Sequence, residues 1–476
     1  MNLNQTLQEK YPHLEVSVLK LSEVKKNIDF RIDDSFWTMK LIYNNKLNYK
    51  KIGECLLKSQ YGISINMNEG GDGIPIYRMN DIDNMLCNFE VKKYALIDKN
   101  ELQTFRLNYG DVLFNRTNSY EFVGRTGIFY NNRENFVFAS YLVRLVCNKE
   151  ILLPEYLTVF LNTHIGKKEI RRRARPSINQ TNVNPEELKE IKIPIFPMEF
   201  QLEIQNLVKD SHKALEESKE LYKKAEETLY LELGLDPKNP LQSLLDSKTN
   251  IPTNSLNISI RTLKESFLKT GRLDSEYYQS KYEDIEKFIK SYPNGYDSFS
   301  NIINNKDTNF TPKNNENYSY IELANIGNNG NISEPISDLG KNLPTRARRI
   351  VSKGDVIISS IEGSLSSCAL ITQEFDKHLV STGFFVLNSK LLNGETLLVM
   401  FKSQIFQEYL KKFPSGTILC AINKEELSKI LIPKIDPTTQ EKIAKYIQES
   451  FNLRKKSKQL LDNAKNKVEE QIQGKT

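Results

Sequence analysis

Phe114-Asn115-Arg116-Thr117-Asn118-Ser119 follows a Gly110-Asp111-Val112 triplet, a strand-like run that ends in a polar loop. Asn and Arg can each make paired hydrogen bonds to a base edge, to adenine and guanine respectively. Asn115, Arg116, Thr117, Asn118 and Ser119 are therefore candidates for reading a nucleic acid. Arg125 follows, between Gly124 and Thr126-Gly127, where small neighbours admit a phosphate closely. A second concentration begins at Lys167-Lys168 and continues through Arg171, Arg172, Arg173 and Arg175 to Ser177 and Asn179; it places six basic residues within nine positions. That is the composition of a phosphate clamp at a helix end, although a charge run is as often a solvated face. The second half of the chain offers Arg346, Arg348 and Arg349 before another Gly-Asp-Val triplet, Ser360 in the loop after it, and Ser415 and Thr417 beyond Lys411-Lys412.

Other chemistry is missing from the sequence. There is no G-x-x-x-x-G-K-[ST] loop, no Gly-rich dinucleotide fingerprint, no HExxH and no Gly-x-Ser-x-Gly elbow. The four histidines are scattered, and the five cysteines include no CxxC pair. No metal site, no catalytic residue and no disulfide framework is expected. With 66 Lys and Arg against 60 Asp and Glu, the net charge of +6 permits nucleic-acid binding without demanding it. The absence of a long apolar run and of signal-peptide regions leads us to expect a soluble cytoplasmic protein that is not an enzyme.

A duplicated frame carries these candidates. In residues 201–233, Ile204, Val208, Leu215, Tyr222 and Leu229 fall at alternating steps of four and three with Ser211, Ser218 and Ala225. This spacing is the seam of a coiled coil. Residues 440–472 repeat it with Ile443, Ile447, Leu461 and Val468, and corresponding positions differ by 239 (440 − 201). One shared seam predicts that the two helices pack against each other, each a rod of roughly 45–50 Å at about 1.5 Å per residue. Thr438 and Glu441 read as the capping box of the second helix. Further copies are Arg31-Ile32-Asp33 with Arg272-Leu273-Asp274, Gly110-Asp111-Val112 with Gly354-Asp355-Val356, and Asn184-Pro185-Glu186-Glu187-Leu188 with Asn423-Lys424-Glu425-Glu426-Leu427. A tandem duplication follows. The expected order is a globular domain over 1–198, a helix over 199–235, a linker over 236–257, a second domain over 258–436 and a helix over 437–476. The expected fold class is α+β: two tandem-duplicated mixed α/β domains separated by two long α-helices that pack as an antiparallel coiled coil.

Over nearly its whole length the chain resembles the specificity subunit of a type I restriction–modification system. The resemblance rests on the order domain–helix–domain–helix, on the run from Gly110 to Thr117 with Val123-Gly124, and on Ile193-Pro194 leading through Pro197 to Gln201 and Ile204. The second copy keeps Gly354-Asp355-Val356 and Ile432-Pro433, but its loop from Ser359 to Ser364 carries neither Arg nor Asn. The resemblance implies two target-recognition domains, each reading half of a split double-stranded DNA sequence. It also implies helices that set the spacing and dock two methyltransferase subunits, with restriction–translocase subunits completing the complex. AdoMet and ATP with Mg would belong to those partners, and the chain would need no cofactor of its own and no membrane. Two other classes stand beside this reading. A coiled-coil scaffold binding only protein explains the seam but not the arginine-rich loops. A nuclease or methyltransferase with a cryptic site would be marked by activity of the purified chain alone.

Overall fold

The computed structural model describes residues 3–474 apart from 15, 17, 29, 40, 132–134, 179, 247–259, 328 and 417–418. Two compact units emerge, one of residues 1–215 with 455–476 and one of residues 216–454. Helices and several mixed sheets make up each, so the fold class is α+β.

In the first unit a six-stranded sheet runs in the order Leu56–Tyr61, Leu142–Cys147, Val112–Asn115, Thr126–Ile128, Leu86–Cys87 and Ile82–Asp83. The strand Val112–Asn115 is buried along its length, as its unbroken apolar run requires of a central strand. Helix Pro154–Asn162 buries eight consecutive residues, Pro154 to Leu161, beneath this sheet. One extended helical stretch over 154–173 is what the sequence suggests, but the structure breaks it at Thr163. The Thr163 hydroxyl accepts the Gly166 amide at 3.0 Å and caps a second helix, His164–Arg173. Gly166 permits the bend, because a Cβ there would lie 2.1 Å from the Phe160 carbonyl oxygen.

The second unit repeats the frame. Ile303–Asn305, Phe384–Ser389, Val356–Ser359 and Cys368–Leu370 form a four-stranded sheet in that order. Gly394–Lys402 and Gln404–Leu410 are its helix pair, and Ser403 caps the second of them. Helix Pro240–Asp246 lies within the stretch expected as linker, and its Leu244 enters the core of this unit; the rest of that stretch, 247–257, lies outside the described residues.

The two long helices span Met198–Glu232 and Pro437–Gln473. In the first unit Ile204 and Val208 share a core with Leu461, Ala464 and Val468, flanked by Leu215. In the second, Tyr222, Ala225 and Leu229 share one with Ile443 and Ile447. The pairing is antiparallel within each unit: Lys467 meets Glu203 at 2.6 Å in the first, and Thr439 donates to Glu232 at 2.7 Å in the second. Polar seam positions bond to each other. The Ser211 and Ser457 hydroxyls lie 2.8 Å apart, and those of Ser218 and Ser450 3.0 Å apart. The cap of the second helix differs from the expected capping box. Asp436 accepts the amide of Thr438 at 2.8 Å, so the helix starts at Pro437, whose fixed φ and missing N–H suit the first position.

Candidate nucleic-acid interface

Gly110 adopts φ 88°, a left-handed turn that feeds the chain into the buried strand Val112–Asn115. Just past it the chain folds back on itself. Asn115 accepts the Gly124 amide at 2.8 Å and donates its own amide to the Arg125 carbonyl at 2.8 Å, so residues 116–123 form a closed loop. Asn115 has no exposed surface; its side chain accepts the Thr117 amide at 3.3 Å and shapes the loop from inside. That orientation gives it a structural task in place of the base contact considered from sequence. Thr117 is buried as well and donates its hydroxyl to Asn182 at 2.6 Å. Arg116 is half-buried, with its guanidinium 5.1 Å from the Tyr61 ring centroid and 3.4 Å from the Ser140 carbonyl. Asn118 is half-buried, while Ser119 and Tyr120 are exposed.

The two candidate regions of the first half meet. Thr117–Asn118 pairs antiparallel with Thr181–Asn182, which pairs in turn with Arg175–Pro176. This small three-stranded sheet joins the polar loop to the segment after the basic helix. At its edge Arg175 and Ser177 are exposed, and Ile178 is 98% exposed. Asn179 lies outside the described residues.

The basic run separates by direction. Arg173 is buried, ion-paired with Glu169 and bonded to the Glu190 carbonyl at 3.4 Å. Arg172 donates to the Phe36 carbonyl at 2.6 Å and lies 4.4 Å from that ring's centroid. Arg173 thus serves the interior, which removes it from the DNA-facing candidates, while Arg172 is half-buried against Phe36. Charges on a helix point around its axis, so a run of arginines faces several ways.

The mount beneath the platform uses two duplicated motifs. Arg31 pairs with Asp33 at 2.6 Å and with the buried Glu187 at 2.8 Å, and it donates to the Arg173 carbonyl at 2.9 Å. Glu187 also receives Arg175 at 2.9 Å. In the second unit Arg272 pairs with Asp274 at 2.7 Å, lies 3.7 Å from Glu426, and donates to the carbonyls of Phe413 and Pro414 at 3.1 and 2.7 Å. Each arginine thus fastens the end of the helix that leads into the candidate loops. The sequence shows both motifs as repeats; their contact became visible only in the fold.

The second unit also repeats the platform. Val183 donates its amide to the Arg116 carbonyl at 2.9 Å in the first unit, and Ile422 donates to the Ser360 carbonyl at 2.8 Å in the second. Among the described residues the side sheet shrinks there to two bridges, Ile361 with Ala421 and Ser415 with Ala421. Ser360 and Ser415 are half-buried, and Thr417 lies outside the described residues. Gly383 receives the Ser360 amide at 2.9 Å, and the adjacent Thr382 donates to the Arg346 carbonyl at 2.9 Å, which brings the second basic cluster to the same edge. Arg346 and Arg348 are exposed there. Arg349 is half-buried and donates to the Phe384 carbonyl, and burial lowers its pKa.

Residues 64–227 match the family model of the type I restriction modification DNA specificity domain, a window holding both candidate regions of the first half. A putative type I restriction enzyme specificity subunit, MjaX of Methanocaldococcus jannaschii, is 23% identical over 412 residues, spanning 86% of this chain and 88% of that protein. Over most of its length the chain is thus similar to a type I restriction enzyme specificity subunit, and residues 64–227 carry the DNA specificity domain. Among other similar proteins, the EcoKI specificity subunit of Escherichia coli is 27% identical over 161 residues, 33% of this chain and 34% of that one. The solved type I S subunit from M. genitalium aligns at TM-score 0.42 and 15% identity over 90% of this chain and 96% of that one.

The matched model is that of a DNA specificity domain, and both relatives are named as specificity subunits. Among the described residues no group of three or more His, Cys, Asp or Glu is placed to hold a metal ion, and no helix is long and apolar enough to cross a membrane. Sequence reading passed over Tyr61, Tyr120 and Phe122, which lie against Arg116, Arg171 and Arg125 with ring-to-guanidinium distances of 5.1, 5.8 and 4.1 Å. Exposed aromatics interleaved with cations were the signal that could have found them.

Proposed function

We propose that the chain acts as such a specificity subunit, each unit reading one half of a bipartite double-stranded DNA target. The polar loop and the small sheet beside it present the side chains that contact bases. The paired long helices set the spacing between half-sites and dock two methyltransferase subunits. Restriction–translocase subunits complete the assembly, and AdoMet and ATP with Mg are bound by those partners.

One observation carries this reading: the platform is built twice with the same backbone bonds and different tips. The first presents Arg116, Asn118, Ser119, Arg175 and Ser177. The second presents Ser360, Ser415 and the arginines at 346 and 348. A shared mount with divergent tips is what two readers of unlike sequences need, because base edges are distinguished by side-chain donors and acceptors.

The test is a genome-wide map of methylated adenines in cells with and without this gene, partner genes intact. Loss of one two-part motif with a fixed internal gap is the expected result. A methylome in which every such motif persists in the deletion strain, despite active partners, sinks the proposal.

A further inference from the structure

Three cations of the first unit face a cavity of about 340 Å³ beside the platform. Arg125, Lys167 and Arg171 line it together with Asn162, and its acidic members are Asp83 and Glu121. Arg125 leaves the closed loop with its guanidinium 4.1 Å from the Phe122 ring centroid, and Arg171 lies 5.8 Å from that of Tyr120. Among the described residues, none of the three cations forms an ion pair with a carboxylate, whereas Arg31, Arg173 and Arg175 in the same unit all do. Burial first, and then the like charges of Lys465, Arg171 and Arg125, hold the Lys167 amine below its usual pKa, with Glu469 acting the other way. Lys465 itself is paired with Asp462 at 3.2 Å, and Glu469 accepts the His164 amide at 2.5 Å.

The fold does not require this cluster. Helix His164–Arg173 corresponds to Gln404–Leu410 at an offset of 240 (404 − 164), and strand Thr126–Ile128 to Cys368–Leu370 at 242 (368 − 126). The three cations therefore match Ser367, Gln407 and Lys411. Gln407 donates to the Leu365 carbonyl at 3.3 Å, and Lys411 is paired with Glu408 at 2.7 Å. The second unit ties its helix to its loop with neutral or satisfied bonds, where the first converges like charges. Convergent like charges are unfavourable unless an anion joins them.

We propose that this cavity seats a phosphate of the DNA backbone, a grip that the matching place in the second unit lacks. The inference rests on the DNA reading above and adds where the grip lies. Arg125 and Arg171 would meet the phosphate oxygens with paired N–H donors, and Lys167 would add a point charge. Gly124 keeps the wall close: its φ is +86°, and a Cβ there would lie 2.6 Å from Ile170 Cγ2.

The experiment measures binding of the complex, purified with its partner subunits, to a duplex carrying the mapped methylated motif, across a series of salt concentrations. The double variant Lys167→Gln/Arg171→Gln is expected to reduce the slope of log K against log salt by about 0.9, one phosphate contact, with the motif preference kept. Lys411→Gln, at the matching place in the second unit, is expected to leave the slope alone. An unchanged slope in the double variant with motif binding intact overturns the phosphate seat and leaves the recognition reading standing. Failure of the wild-type complex to prefer the motif overturns the recognition reading itself. Inorganic pyrophosphate provides the last arm. A thermal shift that the double variant loses, combined with an unchanged DNA slope, assigns the cavity to a free phosphate and overturns the DNA assignment.

Discussion

Arg172 and Arg173 are neighbours of Arg171 in sequence and strangers to it in space. The composition of the run is legible from sequence, and it announces concentrated positive charge. Which guanidinium faces solvent is decided by helix rotation, by Glu169 one turn before Arg173, and by distant partners such as the Phe36 carbonyl that holds Arg172, which no local pattern reveals. The same holds for Asn115, whose side chain turns inward at the end of a fully buried strand. Glu169→Ala leaves the Arg173 guanidinium buried without its carboxylate and is expected to cost about 3–5 kcal/mol, read by urea denaturation. A loss below about 1 kcal/mol would show that the bond to the Glu190 carbonyl suffices. Glu226 offers a pH test in the second unit. Burial raises its carboxyl pKa to about 7, with Lys402 and Lys223 opposing and Glu227 assisting. The folded state therefore holds a proton that the unfolded chain, near the ordinary value of 4.5, releases. Stability from this group is present at low pH and declines as pH rises from about 4.5 to about 7. Melting temperatures at pH 5 and pH 8 should differ more for wild type than for Glu226→Gln; equal differences would contradict the assignment.

The long helices were the most legible elements. Steps of four and three along residues 201–233 and 440–472 place their apolar side chains on one stripe, and the structure buries Ile204, Val208, Tyr222, Leu229, Ile443, Ile447, Leu461 and Val468. Local polarity also marks Ser211, Ser218, Ser450 and Ser457 as seam residues. What it does not show is that each pairs with another serine. The break at Thr163 was equally hidden, because a threonine within an apolar helical pattern is unremarkable until its hydroxyl finds an amide three residues on. The serine pairs make a clear energetic case. Ser211→Ala leaves a buried hydroxyl on Ser457 without its partner and is expected to cost about 1–3 kcal/mol, whereas Ser211→Ala/Ser457→Ala, which removes both, should return close to wild type. Chemical denaturation of the two variants side by side decides this. An additive loss in the double variant would mean that the hydroxyls act independently.

The tandem duplication was readable at the scale of the whole chain because framework motifs recur at nearly constant offsets. Its three-dimensional use was not, since Arg31 and Glu187 are 156 positions apart and meet only after the domain closes. The proposed spacer role gives a test at this scale. Removing four residues, about one turn and about 6 Å, from both long helices should shorten the permitted gap between half-sites by one or two base pairs in the methylome. A motif with its original gap would refute the spacer. The division into units also bears on how the protein is made. The second unit is one uninterrupted segment, residues 216–454, whereas the first is assembled from residues 1–215 and 455–476. Translation delivers the strands and helices of the first unit early, but Leu461, Ala464 and Val468, which cover Ile204 and Val208, leave the ribosome only after the whole second unit. The nascent chain must therefore carry an uncovered apolar stripe through most of its synthesis. The domain begun first is thus the one completed last.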